Sequence, residues 1–414
     1  MQFKDIISKW RLSPQEERQM RVDVAKTLSR IDASLKKLKI GASAMLGGSA
    51  AKSTLLKGDF DVDLFVRFSQ KYRDKSISDL LAKALSEFKP ARLNGSRDYF
   101  QFQHDSISYE VVPVLKIRSW KEAVNVTDAS PLHVEWVASK TRKNPKLIDE
   151  IILAKVFLKA NRLYGAESYI SGFSGHVVDI LIINYGSFLK FLKAAAGWAP
   201  SIVVDVEKHY KGRRPDLNQS KLGPLILIDP VQPERNAAAA VSLDTFNRTI
   251  EAAKRFLKNP DSASFEKELM TPLKLKELAR GNRLIILELS LGKAKLDVNG
   301  AKIVKALEFL SAKLTENDFK LLSKGWEWDK GTKAMLWLIL DRAALDKKRI
   351  HPGPPINMAD HAAAFRKLYK KTYVKDGKLY AEVRREYTQP EKLVESLLKA
   401  PYLTEKFSRI NLKT

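Results

Sequence analysis

The chain has 414 residues, with 73 Lys and Arg against 48 Asp and Glu, and it contains no cysteine. At roughly 150 residues per domain this length corresponds to about three domains, and a hydrophobic content of 44% excludes wholesale disorder. The formal net charge of +25 points to a polyanionic partner, most simply nucleic acid, against the plainer reading of a surface tuned for solubility.

Without cysteine there is no disulfide, no thiol nucleophile, no Cys-based zinc site and no iron–sulfur cluster. The start, Met1-Gln2-Phe3-Lys4-Asp5, is charged and lacks the apolar core of a signal peptide. The most apolar stretch, Val177 to Ile183, contains Asp179 and is too short to span a bilayer. A cytoplasmic protein with no membrane partner is expected.

Ser13-Pro14-Gln15-Glu16 has the makings of a capping box with proline at the first helical position. Val24, Leu28, Ile31, Leu35 and Leu38 then recur at steps of four and three, which predicts an amphipathic helix ending near Ile40. Ala42 to Leu46 reads as a short strand before Gly47-Gly48-Ser49. In Asp61 to Phe68, Val62, Leu64, Val66 and Phe68 point one way and Asp61 and Asp63 the other. Ile77 to Phe88 has helical spacing. Tyr99 to His104 and Ile107 to Leu115 form a predicted hairpin about Asp105-Ser106.

From Asn144 to Gly197 the pattern is mainly helical, with a helix from Asn144-Pro145, a break at 172–175 and a second helix through Val178 and Phe188. Leu243 to Leu257 is a further helix, stopped by Asn259-Pro260. Beyond it, strands at Leu284–Leu289, Ala334–Leu340 and Lys378–Arg384 alternate with helices through Ile303–Leu310 and Ala359–Tyr369. That order resembles the βαββαβ plan of small RNA-binding sheets. The predicted domains are an α/β head over 1–142, a helical middle over 143–258 and an α/β C-terminal region over 259–414.

The strongest local feature is Gly47-Gly48-Ser49-Ala50-Ala51-Lys52, followed by Asp61-Val62-Asp63. Carboxylates two apart on a strand share a face, where their repulsion is relieved by a cation such as Mg²⁺. Glycines let backbone N–H groups approach a phosphate, and Ser49 and Lys52 add a donor and a charge. Such a pair of aspartates is by itself usually a surface feature. Here it lies in an apolar strand downstream of a Gly-Ser turn, and a second apolar strand supplies Glu110. The combination suits a metal–triphosphate site of the two-metal kind.

The run from Gly47 to Val66 resembles the signature of polymerase-β-type nucleotidyltransferases. Over nearly its whole length the chain resembles the archaeal-type (class I) CCA-adding enzymes. The matching segments are Thr127 to His133, Leu163 to Glu167, Gly172 to Gly175, Asn184 to Phe188, Asp229-Pro230 with Arg235-Asn236, and Gly353-Pro354-Pro355.

The resemblance implies an α+β multidomain enzyme that adds C, C and A to the tRNA 3′ end from CTP and ATP. It implies two Mg²⁺ ions held by Asp61, Asp63 and Glu110, where the family more usually has aspartate in the third place. Gly48, Ser49 and Lys52 then match the triphosphate loop, Lys155 and Tyr164 the groups reaching it from the helical domain, and His133 and Arg235 the nucleotide pocket. Gln232 stands where an aspartate is frequent, and Arg97 where relatives carry a histidine. The partner would be tRNA, at its acceptor stem and T-arm, and a homodimer is compatible with the family. Basic runs at 208–214, 347–349 and 366–378 fit a surface tracking tRNA phosphates, although such runs are commonly just solvated faces. Two other readings stand beside this one: a poly(A)- or oligoadenylate-forming relative, and a non-catalytic RNA-binding protein on the same fold.

Overall fold

The computed structural model describes residues 3–59, 61–213 and 215–413. Phe60, in the signature run, Arg214, in a basic run, and the initial Met1-Gln2 lie outside the described residues. The chain separates into two compact units, 1–268 and 269–414.

In the first unit, α1 (Phe3–Trp10) precedes α2 (Pro14–Lys37). The capping box at the start of α2 is present: Glu16 N donates to Ser13 Oγ at 3.2 Å and Ser13 N to Glu16 Oε2 at 2.8 Å. Then come β1 (Ala42–Leu46), α3 (Gly48–Ala51), β2 (Asp61–Phe68), α4 (Ile77–Ala84), β3 (Ala91–Leu93), β4 (Tyr99–His104) and β5 (Ile107–Leu115). The strands form one five-stranded sheet in the order β1-β2-β5-β4-β3. Only β2 and β5 run parallel, with Asp61 opposite Ser108 and Asp63 opposite Glu110. The predicted hairpin is β4–β5, with His104 paired to Ile107. The expected helix 77–88 stops at Ala84 and continues as a 3₁₀ turn, Ser86–Phe88, that ends on left-handed Lys89.

The apolar face of this sheet explains which side is left for chemistry. Val62, Leu64, Val66 and Phe68 are buried together with Ile31 and Leu35 of α2 and Leu81 of α4. Burying such side chains contributes roughly 1.5–3 kcal/mol each. With period-2 alternation, that packing turns Asp61 and Asp63 to the opposite face.

The rest of the unit is mostly helical: α5 (Ser130–Lys143), α6 (Lys146–Ala160), α7 (Gly175–Tyr185), α8 (Phe188–Ala195) and α9 (Leu243–Lys258), with short parallel strands β6 (Ile202–Val204) and β7 (Leu225–Leu227). The break expected at 172–175 comes earlier, at Asn161, followed by Arg162 with φ of 59°. An aromatic core of Phe157, Phe188, Phe256 and Phe265 joins α6, α8 and α9, with ring centroids 5.4–5.8 Å apart.

In the second unit, α10 (Pro272–Ala279) leads into β8 (Arg283–Ser290), α11 (Leu296–Glu316), β9 (Leu321–Trp328) and β10 (Lys333–Leu340). There follow β11 (Lys348–Pro355), α12 (Ala359–Leu368), β12 (Thr372–Lys375), β13 (Lys378–Arg384), α13 (Pro390–Leu397), α14 (Pro401–Thr404) and β14 (Arg409–Lys413). The main sheet is β14-β8-β10-β9, and a separate three-stranded sheet is β11-β13-β12. A βαββαβ path is therefore present, but its second half is α13 and β14. The sequence reading placed α12 and β13 there; they belong to the small inserted sheet. It also omitted β9, whose half-exposed LLSKGWEW lacks a clear alternation.

Candidate functional site

Gly47 closes the turn between β1 and β2, its N–H donating to Asp63 O at 2.8 Å. Gly48 follows with φ of 53°, and a Cβ on it would lie 1.6 Å from Asp63 Oδ2. Only glycine lets the turn lie against this carboxylate. Ser49 is half-buried in the turn that follows.

Beneath it, Asp61 and Asp63 project from β2, and Glu110 projects from the neighbouring strand at the register of Asp63. Gln101, opposite Glu110 on β4, donates to Glu110 Oε2 at 3.0 Å. Burial raises the Asp63 carboxyl above its usual range, with Lys52 opposing and Asp61 adding to the rise. Burial likewise raises Glu110, against the Gln101 hydrogen bond, and the charges of Asp63 and Asp61 push it further. Three mutually repelling carboxylates, Asp63 and Glu110 desolvated and Asp61 exposed, make an oxygen donor set that fits a hard divalent cation.

The lysines form a second layer. Lys52 Nζ pairs with Asp179 Oδ2 of α7 at 2.5 Å, with side-chain exposures of 9% and 0%. Lys155 of α6 is buried and donates to Thr54 O at 3.0 Å and Thr54 Oγ1 at 2.9 Å. Burial drives its pKa down to about 8, with Asp179 raising it and Lys52 lowering it. Asp179 would be raised by burial, but Lys52 and Lys155 hold it below the usual range. Its Oδ1 has no hydrogen-bond partner among the described residues. Tyr164 packs its hydroxyl against Gly175, where a Cβ would sit 2.9 Å from the oxygen. Burial raises its pKa.

The third group surrounds Asp229. His133 Nε2 of α5 lies 2.9 Å from Asp229 Oδ1, Arg235 donates to Oδ2 at 2.9 Å, and His176 Nε2 of α7 is 3.7 Å from Oδ2. Burial alone would raise Asp229, but the hydrogen bond from His133 and the nearness of His176 hold it far below the usual range. Burial lowers the pKa of His176.

These groups form a connected line. Lys52 and Lys155 act on Asp63, Asp179 acts on His176, and His176 acts on Asp229. Every expected site residue thus lies on it or beside it, whereas Arg97 does not reach toward the carboxylates. Arg97 is paired with buried Asp128 and donates to Pro113 O at 3.1 Å. Asp128 also caps Leu115 N at 2.8 Å and Val124 N and Asn125 N at 3.0 Å each, so this pair anchors the exit of β5.

Sequence reasoning missed Asp179, His176 and Asp229 as members of the site. Asp179 was visible as the one charge in the apolar run Val177–Ile183, a costly residue to bury without purpose. His176 had no such signal. Among the described residues, no helix is long and apolar enough to cross a membrane.

A parallel β2–β5 pair carrying three carboxylates under a glycine turn defines a polymerase-β-type nucleotidyltransferase. Comparison with known proteins agrees and narrows the class. Residues 28–133 match the family described as nucleotidyltransferase domain, residues 149–266 the second domain of tRNA nucleotidyltransferase, and residues 280–403 the C-terminal domain of CCA-adding enzyme. The CCA-adding enzyme of Nanoarchaeum equitans is 33% identical over 356 residues, covering 83% of this chain and 84% of that protein. Those of Methanocaldococcus jannaschii (33%, covering 83% and 78%) and Methanosarcina mazei (31%, covering 85% and 78%) are comparably similar. A solved structure of Cid1, described by its RNA terminal uridylyl transferase activity, aligns over 65% of this chain and 98% of its own with a TM-score of 0.51 at 14% identity, a likeness of fold alone. The chain belongs to the archaeal CCA-adding enzyme family.

Proposed function

We propose that this chain builds or repairs the CCA end of tRNA, adding C, C and A from CTP and ATP without a nucleic-acid template and releasing pyrophosphate. One observation carries the reading: Asp61, Asp63 and Glu110 converge on adjacent strands beneath the Gly47–Lys52 turn, in a chain of this family.

Asp61, Asp63 and Glu110 would hold two Mg²⁺ ions. Divalent cations so held neutralise triphosphate charge and make a primer hydroxyl more acidic. Glu110 would bind the metal that makes the tRNA 3′-hydroxyl more acidic, or take that proton itself. Attack of that oxygen on the α-phosphorus breaks the bond to the β-phosphate bridging oxygen, and pyrophosphate leaves. Gly48 and Ser49 offer the turn's N–H groups and a hydroxyl, and Lys52 and Lys155 offer charge to the triphosphate. Tyr164, His133 and Arg235 complete the nucleotide pocket, with Arg235 supplying the fork of donors suited to base edges.

The head over 1–142 would perform the chemistry, the helical region over 143–258 would grip the nucleotide, and the region over 259–414 would hold the acceptor stem and T-arm of tRNA. In the last of these, Tyr373 of the 366–378 run stacks on Tyr380 of β13, with ring centroids 5.7 Å apart. A cytoplasmic location and a homodimer belong to the same proposal.

The test is incorporation of labelled CTP and ATP, separately and together, into tRNA ending at the discriminator base. Addition that stops after three nucleotides is expected. Unlimited ATP addition would establish a poly(A)-type enzyme instead, and no incorporation at any Mg²⁺ concentration would overturn the enzymatic reading.

A further inference from the structure

Asp229 is fully buried, and the steps above give it nothing to do. Its Oδ1 accepts from His133 Nε2 at 2.9 Å and from Val231 N and Gln232 N at 3.0 Å each, while Oδ2 accepts from Arg235. The ligand atoms of His133, His176 and Asp229 lie within 4.8 Å of one another. A cation there would have to displace the donors already on Asp229, so the cluster is better read as a carboxylate held by hydrogen bonds than as a metal site, with His176 Nε2 beside it but without a hydrogen-bond partner among the described residues. The His133 and His176 rings pack at 4.4 Å behind it. Helices α5 and α7 and the 229–235 loop therefore meet at one carboxylate.

Arg235 differs from its partner in exposure. Asp229 is at 0%, whereas 39% of the arginine side chain remains accessible. One guanidinium nitrogen, Nη1, is committed to Asp229, and the rest of the planar fork has donors to spare. A free arginine samples many rotamers, and anchoring one nitrogen removes that freedom before a ligand arrives.

We propose that Asp229, backed by His133 and His176, is a positioning residue for Arg235, so that selection of C and A over U and G depends on a buried carboxylate that never touches the nucleotide. The inference rests on the reading of Arg235 as the base contact. An unanchored guanidinium keeps its charge and still attracts nucleotide, but it loses the fixed angle that matches a base edge. Discrimination falls more than turnover.

The experiment uses the full chain and compares kcat/KM for CTP and UTP on tRNA lacking its CCA end. A forked contact to a base edge discriminates by about 5- to 150-fold. Asp229→Asn keeps the shape and the oxygen that caps Val231 N and Gln232 N. It is expected to lose a large part of that ratio, mainly through KM for CTP. Arg235→Ala is expected to lose at least as much, and the double variant no more than Arg235→Ala, because residues acting through one another are non-additive. Asp229→Ser, which still caps the loop but cannot pair with arginine, puts the same question if Asp229→Asn does not fold. Each variant is assayed below its own melting temperature.

If Arg235→Ala loses selectivity while the Asp229 variants keep it, the positioning role is overturned and the base contact stands. If Arg235→Ala itself keeps the ratio, the reading of Arg235 fails and takes the inference with it.

Discussion

Gly48→Ala tests whether Asp63 works from the place it occupies here. The new Cβ would lie 1.6 Å from Asp63 Oδ2, 2.6 Å from its Cγ and 2.9 Å from its Cβ. Ordinary carbon–oxygen contact is about 3.5 Å, so the overlap is large and one partner must move. Either the carboxylate swings away or the turn lifts, and a misplacement of about 1 Å at a reacting centre costs roughly 10²-fold. The left-handed backbone, with φ of 53°, adds about 1–2 kcal/mol of strain for alanine.

Gly186→Ala separates the two effects. That residue also has positive φ, 80°, but nothing lies within 4 Å of where its Cβ would be, so it carries the strain without the collision. Both variants are compared by heat denaturation and by single-turnover CTP incorporation into tRNA ending at the discriminator base. Both are expected to melt earlier, and Gly48→Ala alone is expected to lose about 10²-fold in the chemical step. Undiminished turnover in Gly48→Ala, or equal losses in the two variants, would refute the reasoning.

Glu110→Gln keeps a group that can still pair with Gln101 but removes the charge. It is expected to lower kcat by about 10²–10⁴-fold with little change in melting temperature, as measured by steady-state kinetics and calorimetry. Lys155 is charged below a pKa of about 8 and loses its attraction for triphosphate above it, so kcat/KM for nucleotide is expected to fall as pH rises through 8. Lys155→Arg stays charged and should lack that alkaline limb; an unchanged limb would assign it elsewhere. Asp179→Ala leaves Lys52 without its partner in a buried setting and is expected to cost about 3–5 kcal/mol in urea unfolding.

Much of the site was legible because its signals are local. The alternation of apolar residues in β2 decided that Asp61 and Asp63 share a face, since a strand has a period of two and one face must be buried. The capping box at Ser13 worked the same way, within one helical turn. The C-terminal sheet was less legible. Strand β14 pairs with β8 across more than a hundred residues, and no pattern within either strand names its neighbour.

By itself, then, the sequence determined the chemistry on offer: a glycine turn, paired aspartates on an apolar strand, an excess of positive charge and no thiol. Motif order added the family. Tertiary structure alone decided who meets whom. Parallel pairing of β2 with β5 brings Glu110 opposite Asp63, and packing of α7 delivers Asp179 to Lys52 and His176 to Asp229. Those partners come from distant segments, and their proximity is set by burial of apolar faces, which specifies which surfaces meet but is not written into the polar residues carried on them. The +25 charge shows the same division. Its total is a property of composition, whereas the few cations that act on the catalytic carboxylates are selected by the fold.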